Sequence, residues 1–314
     1  MAHQIGIAVF PGFQALDLAI GTVFELANQD AEAPRYEIVI VSENGGLVRS
    51  SFGAAVDSVP FGDVEYDTLF VCGASGAFAV EAGLVELVKR ASARSRRIAA
   101  ICTGAFIAAE AGLLDGRRAT THWAKARELQ RRFPAVKVEE DRIFIEDRGV
   151  WTSAGMTACI DLALAIVEAD LGGDVARDIA KRLVVYHLRT GGQSQYSAML
   201  EMRPSSDRIQ RALAFARENL RLDLSVEQLA EAASLSPRQF SRSFRAETGQ
   251  SPAKAIEALR VEAARQLIEA GRLSNDEIAR HTGFADPGRM RRAFLRTIGQ
   301  PPQAIRRSAR MAAA

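Results

Sequence analysis

Three residues carry side chains whose types and spacing could do covalent or acid–base chemistry. Cys102 ends the apolar run RRIAAI and is followed by Thr103, Gly104, Ala105 and the small-residue helical stretch FIAAEAG. That is the strand-to-helix elbow on which a nucleophile is exposed. At such an elbow free backbone N–H groups and the helix dipole favour thiolate over thiol. His122, in ATTHW just after a predicted strand Arg118 to Thr121, could take a proton from a nearby thiol. Asp17, beyond the Pro11-Gly12 turn, could hydrogen-bond the thiol and tune it. The plainer alternatives are a small buried cysteine and a structural histidine.

A second set of candidates lies in the last third of the chain, where cations gather on helical faces. Arg242-Ser243-Phe244 recurs fifty positions on as Arg292-Ala293-Phe294, and Gly249-Gln250-Ser251-Pro252 recurs as Gly299-Gln300-Pro301-Pro302. A repeat of that length in a helical region marks a duplicated supersecondary unit. In the first copy Ser225 caps a helix to Ala232, with Gln228 at the capping-box position. Ser236 and Pro237 then open a second helix stopped by Gly249. Phe240 and Phe244 form its inward stripe, leaving Arg238, Ser241, Arg242 and Arg245 to face outward. In the second copy Ser274 and Asp286 are the caps, and Met290 with Phe294 point inward. Arg289, Arg291, Arg292 and Arg296 remain exposed. An apolar stripe that seats the helix, with Arg or hydroxyl groups free on the other side, is what a DNA-recognition helix needs. Pro252 to Ala270 reads as an amphipathic spacer helix between the copies.

The elements that must position the first set alternate between strand and helix. Ile5 to Phe10, Tyr36 to Val41, Thr68 to Cys72 and Arg97 to Ile101 read as strands, and Ala15 to Asp30 and Phe78 to Ser95 as helices. The expected fold class is therefore α/β, a flavodoxin-like, mostly parallel sheet with helices on both faces, followed by an all-α domain with two helix-turn-helix units. In such sheets ligands sit at the carboxyl ends of the strands.

Charge divides the chain at the same place. The 314 residues hold 40 Lys+Arg and 38 Asp+Glu, a net of +2, which excludes a uniformly basic coat. Residues 1–205 carry 21 cations against 26 anions, net −5. Residues 206–314 carry 19 against 12, net +7, and all but Lys254 of those cations are Arg. The expected organisation is a first domain over 1–188, a linker over 189–206 and a DNA-binding domain over 207–314. The longest nearly apolar stretch, Ile98 to Ala109, is shorter than the roughly 20 residues a bilayer crossing takes, so no membrane span is expected. No secretory signal is recognisable at the start, and three cysteines form no even disulfide framework, which fits a reducing cytoplasm.

FPGFQALD, VCGASG, AAICTGAFIAAEAGLLDGRRATTHW and SAGMTACIDLALAIVE resemble the PfpI and isocyanide hydratase branch of the class I glutamine-amidotransferase-like superfamily, over most of residues 4–185. The resemblance implies Cys102 as the nucleophile where members are active, contacted by Asp17. It implies an oxyanion site from the amides of Gly73 or Ala74 with Thr103, and His122 bordering the pocket. The chain lacks the late Gly-x-His-x-Glu pattern of the amidotransferases and has Thr103 where protease-like members have His, so neither of those activities is implied. Residues 207–308 resemble the AraC/XylS DNA-binding domain through LSPRQFSRSFRAETGQSP and IARHTGFADPGRMRRAF, with Met290 where that family has Phe. The pair of domains, joined by GGQSQYS, is similar to the GlxA-type transcriptional regulators. That similarity implies a dimeric regulator with double-stranded DNA, a small-molecule effector and RNA polymerase as partners, and no cofactor or metal. The competing expectation is a thiol enzyme of the hydratase type, or a cysteine redox sensor, carrying a DNA-binding arm.

Overall fold

The computed structural model describes residues 2–29, 31–62, 65–75, 80–185, 191, 195, 202 and 204–312. The chain divides into two compact units, Met1–Gln195 and Tyr196–Ala314.

The first unit is built on one eight-stranded sheet. Its strands are β1 (His3–Ala8), β2 (Tyr36–Ser42), β3 (Gly46–Arg49), β4 (Ala55–Pro60), β5 (Thr68–Val71), β6 (Arg97–Ile101), β9 (Phe144–Asp147) and β10 (Val150–Ser153), in the order β3-β4-β2-β1-β5-β6-β10-β9. The interior pairs are parallel, while the edge strands β3 and β9 run antiparallel to their neighbours. Every residue of β5 and β6 is buried, as expected where helices cover both faces of parallel strands.

A 3-10 turn (Ala15–Leu18) and α1 (Ala19–Gln29) lead from β1 to β2, and α2 (Ala82–Ser92) leads from β5 to β6. These crossovers leave the centre of the sheet in opposite directions. With right-handed connections they place their helices on opposite faces. The helix expected over Ala15 to Asp30 comprises this 3-10 turn and α1, and Phe78, where the second helix was expected to begin, lies outside the described residues. The remaining helices of this unit are α3 (Gly104–Glu110), α4 (Trp123–Arg132), α5 (Ala158–Leu171) and α6 (Gly173–Arg182). The strand expected over Arg118 to Thr121 is only two residues long. This β7 (Arg118–Ala119) pairs with β8 (Lys137–Val138) outside the main sheet.

At the amino ends of the strands, Asp170 of α5 pairs with Arg96 and Arg97 and accepts from the Tyr36 hydroxyl. This network ties α5 to β2 and β6 at the end of the sheet away from the candidate site.

The second unit contains α7 (Asp207–Glu218), α8 (Val226–Ala232), α9 (Pro237–Thr248), α10 (Pro252–Glu269), α11 (Asn275–His281), α12 (Pro287–Ile298) and α13 (Pro302–Ala312). It has two cores. Leu229, Phe240 and Phe244 belong to one, and Ile278, Met290 and Phe294 to the other. The spacer helix α10 serves both, giving Ala255, Ile256 and Leu259 to the first and Val261, Ala264 and Ile268 to the second.

Candidate functional site

Cys102 sits where β6 ends, with φ +53°, a left-handed conformation that a non-glycine residue adopts at a cost of about 1–3 kcal/mol. Three hydrogen bonds over-determine it. Its amide donates to Ser153 O (2.9 Å), and its carbonyl accepts from Thr121 Oγ1 (2.6 Å) and from the Ala105 amide (3.3 Å). Two glycines close over it. A Cβ on Gly155 would fall 2.1 Å from Cys102 Cβ, and one on Gly73 would fall 2.8 Å away. The residue is consequently only 6% exposed.

That burial reverses the expected direction of the thiol pKa. Desolvation and the neighbouring Asp17 push Cys102 up to about 12, against a single Thr103 backbone hydrogen bond that lowers it. The helix behind the elbow, α3, has seven residues and cannot offset this. Cys72 and Cys159 are buried as well, and both thiols are also raised by desolvation and by Asp17.

Asp17 lies in the 3-10 turn after β1 and has no exposed surface. Its Oδ2 accepts from the Gly73 amide at 2.7 Å, while Oδ1 is buried with no partner. Burial raises its pKa to about 7, the Gly73 hydrogen bond pulling the other way. Gly73 therefore does not offer its N–H to a ligand. The Ala74 amide is likewise taken, donating to Thr103 Oγ1 at 2.7 Å while that hydroxyl donates back to Ala74 O. The Gly73 and Ala74 amides, either of which was expected to join Thr103 in an oxyanion site, both have acceptors inside the protein.

His122 follows Thr121, whose hydroxyl reaches the elbow. It is the N-cap of α4, its Nδ1 accepting from the Ala124 amide at 3.3 Å, and burial lowers its pKa. The residue that reaches the elbow is Thr121, next to it in sequence. Gln195 extends this connection. Its Nε2 donates to Thr121 O (2.8 Å) and Glu140 O (2.9 Å), and its Oε1 accepts from the Trp123 amide (2.8 Å). Its own amide donates to Asp141 Oδ1. Gln195 falls within the linker expected over 189–206. Of that GGQSQYS segment, Gly191 and Gln195 are described and docked on the first unit, Gly191 O accepting from the Ile143 amide, and the rest lies outside the described residues.

In the second unit the caps are where the sequence put them. Ser225 with Gln228 and Ser236 with Gln239 form capping boxes, as do Ser274 with Glu277, while Asp286 accepts from the Arg289 amide. Gly249 and Gly299 take left-handed conformations at the ends of α9 and α12. With Phe240 and Phe244 buried, Arg238, Arg242 and Arg245 are exposed along α9 and Ser241 is half-buried. With Met290, Ala293 and Phe294 buried, Arg289, Arg291, Arg292 and Arg296 are exposed along α12. Arg296 differs from the others. Its guanidinium forks onto Glu257 of α10, Nε to Oε1 at 3.2 Å and Nη2 to Oε2 at 2.6 Å, and this pairing raises its pKa. A cleft of about 820 Å³ runs beside α12, lined by six arginines (221, 260, 280, 289, 292 and 296) against Asp223 and Glu257. Such a cleft concentrates positive potential.

Comparison with known proteins matches this geometry. The DJ-1/PfpI family matches residues 3–169, and a helix-turn-helix domain matches residues 229–308. The HTH-type transcriptional regulator GlxA of Rhizobium meliloti is 31% identical over 314 residues, spanning 97% of this chain and 96% of the relative. This chain belongs to the HTH-type transcriptional regulators that carry a DJ-1/PfpI domain. The regulator's first unit also resembles an isonitrile hydratase of Pseudomonas putida, 33% identical over 187 residues, 58% of this chain and 78% of that one. A solved AraC family transcriptional regulator from Pseudomonas putida superposes with a TM-score of 0.53 at 19% identity, covering 58% of this chain and 99% of that chain, which shows the fold.

Proposed function

We propose that the regulator reads specific operator sequences through Arg238, Ser241, Arg242 and Arg245 of α9 and Arg289, Arg291 and Arg292 of α12. The observation that carries this reading is the duplicated unit itself. Twice a capped helix is seated by a buried pair and turns arginines to solvent. Phosphate contacts set affinity and the Arg forks on guanine edges set specificity.

The first unit binds a small-molecule effector at the carboxyl edge of its sheet and shifts the protein toward a state that contacts RNA polymerase as an activator. The protein acts in the cytoplasm as a homodimer formed through that unit. Among the described residues no helix is long and apolar enough to cross a membrane. The chain of hydrogen bonds from Cys102 through Thr121 to Gln195 supports a route for the signal, since Gln195 is the last residue of the first unit.

The rival reading, a thiol enzyme or redox sensor, draws on the Asp17–Cys102 pair and the likeness to a hydratase. Against it stand a thiol raised to about 12 and the internally satisfied amides of Gly73 and Ala74. Transcription from a responsive promoter in cells carrying Cys102→Ala tests the choice. Retained effector-dependent transcription supports the regulator without thiol chemistry, and loss of the response with protein levels unchanged contradicts it.

A further inference from the structure

The two helix-turn-helix modules of the second unit have separate cores, and one residue stands at the changeover between them. Along α10, Leu259 is the last side chain of the first core and Val261 the first of the second. Arg260, between the two, belongs to neither. Joined by α10 alone, an 18-residue rod of about 27 Å, the modules would be free to bend about that point.

The Arg260 guanidinium makes a second connection. Its Nε donates to Leu220 O at 3.2 Å and its Nη2 to Leu222 O at 2.7 Å, in the turn between α7 and α8 of the first module. Against the same turn lies Gly283, which follows α11 of the second module with φ +76°. A Cβ at Gly283 would fall 1.9 Å from Leu220 O and 2.9 Å from both Arg260 Nε and Arg260 Nη2. Glycine is thus required there twice, by its left-handed backbone and by the approach of another backbone. A turn of the first module, the spacer helix and a turn of the second module meet at one point, and a planar fork holds them there.

A further tie joins Arg296 of α12 to Glu257 of α10. These side chains are 58% and 32% exposed, and exposed ion pairs hold geometry weakly. The Arg260 fork is half-buried and engages main-chain carbonyls, which have no rotamers to change. It is the stronger brace.

We propose that Arg260 and Gly283 are positioning residues for DNA recognition. They lock the angle between α9 and α12 and so fix how many base pairs separate the two segments that one chain reads. B-DNA rises about 3.4 Å and rotates about a tenth of a turn with each base pair. A locked pair of helices therefore meets both segments at one spacing, whereas a hinged pair follows a shifted segment. The proposal rests on the reading that α9 and α12 both contact bases.

The test uses the full-length protein and a duplex that it selects from a random-sequence library. Base substitutions in that duplex, compared between the parent and the Arg242→Ala and Arg292→Ala variants, locate the segment each helix reads. Two base pairs are then inserted or removed between the segments, and fluorescence anisotropy at fixed salt measures the loss of affinity. The expected loss is about tenfold or more in the parent and about threefold or less in Arg260→Gln, Arg260→Lys and Gly283→Ala. Lysine keeps the charge and loses the fork, so its variant separates the angle from any attraction to phosphate. Arg296→Ala should keep the parent's spacing profile.

A parent that tolerates the altered spacing overturns the proposal. So does the parent's profile in Arg260→Gln, or its return in Arg260→Lys. Replacing either segment with random sequence examines the underlying reading separately. If one replacement costs no affinity, that reading fails and the proposal with it. If both cost affinity and the Arg260 variants keep the parent's profile, the proposal fails alone. Each variant is assayed below its own thermal unfolding transition, and Arg260→Lys decides the outcome if Gly283→Ala does not fold.

Discussion

The Gly73 amide donates a 2.7 Å hydrogen bond to Asp17 Oδ2 across 56 positions of sequence. One bond therefore joins the loop after β1 to the loop after β5 and occupies the Gly73 N–H. The other oxygen of Asp17 has no partner, which is why burial wins over the hydrogen bond and lifts the acid to about 7.

Asp17 should make the first unit less stable as pH rises. The folded state holds the proton up to about pH 7, whereas the unfolded chain releases it near 3.8, so stability falls between those values and the full penalty is present above them. Three pKa units correspond to roughly 4 kcal/mol. Asp17→Asn keeps an acceptor for Gly73 and cannot ionise. Its thermal unfolding should show an advantage over the parent at pH 8 that shrinks toward pH 4. An advantage independent of pH would show that Asp17 does not titrate in this window.

Cys102 should be a poor nucleophile. With its thiol raised to about 12 and the residue 6% exposed, iodoacetamide at pH 7.5 should label the folded protein far more slowly than the denatured chain, read peptide by peptide for all three cysteines. Fast labelling of Cys102 alone, with an apparent pKa below 8, would revive the redox-sensor reading.

Much of this was legible in the sequence, and the exceptions have physical causes. The caps at Ser225, Ser236 and Ser274, the buried pairs Phe240–Phe244 and Met290–Phe294 and the elbow at Cys102 follow from local rules, since spacing within one helix or one turn dictates them. The direction of the Cys102 pKa was misread because dipole and amide effects are local to the elbow. The desolvation that overrides them comes from Gly73 and Gly155, which are distant in sequence. The edge hairpin β3–β4 is not legible because both strands are largely exposed and lack an apolar run. Gln195 and Glu257 were missed for a related reason. A polar residue in a Gly- and Ser-containing stretch reads as linker, and an ion pair spanning 39 positions leaves no periodic signal.

Gln195→Ala should separate effector sensing from transcriptional output. The substitution removes four side-chain hydrogen bonds, to Thr120, Thr121, Trp123 and Glu140. In a reporter strain the expected outcome is lost effector response, with effector and DNA affinities within about twofold of the parent. An unchanged response would show that the docked segment plays no part in the signal.

Arg296 should behave unlike its neighbours on α12. Because Glu257 holds its guanidinium in a fork, Arg296→Ala should leave the order of preference among operator variants intact and lower the unfolding temperature of the second unit, as Glu257→Gln should. A change in base preference at one operator position in Arg296→Ala would place it among the base-reading residues.

The most direct test of the account is the ratio of specific to random DNA binding. Fluorescence anisotropy of the full-length protein, on an operator selected from genomic fragments and on random duplex of equal length, measures it at fixed salt. The account predicts that Arg242→Ala and Arg292→Ala each remove about 1–3 kcal/mol of discrimination at one base pair while random-duplex affinity falls much less. Equal losses on both duplexes would show that α9 and α12 hold the phosphate backbone without reading sequence.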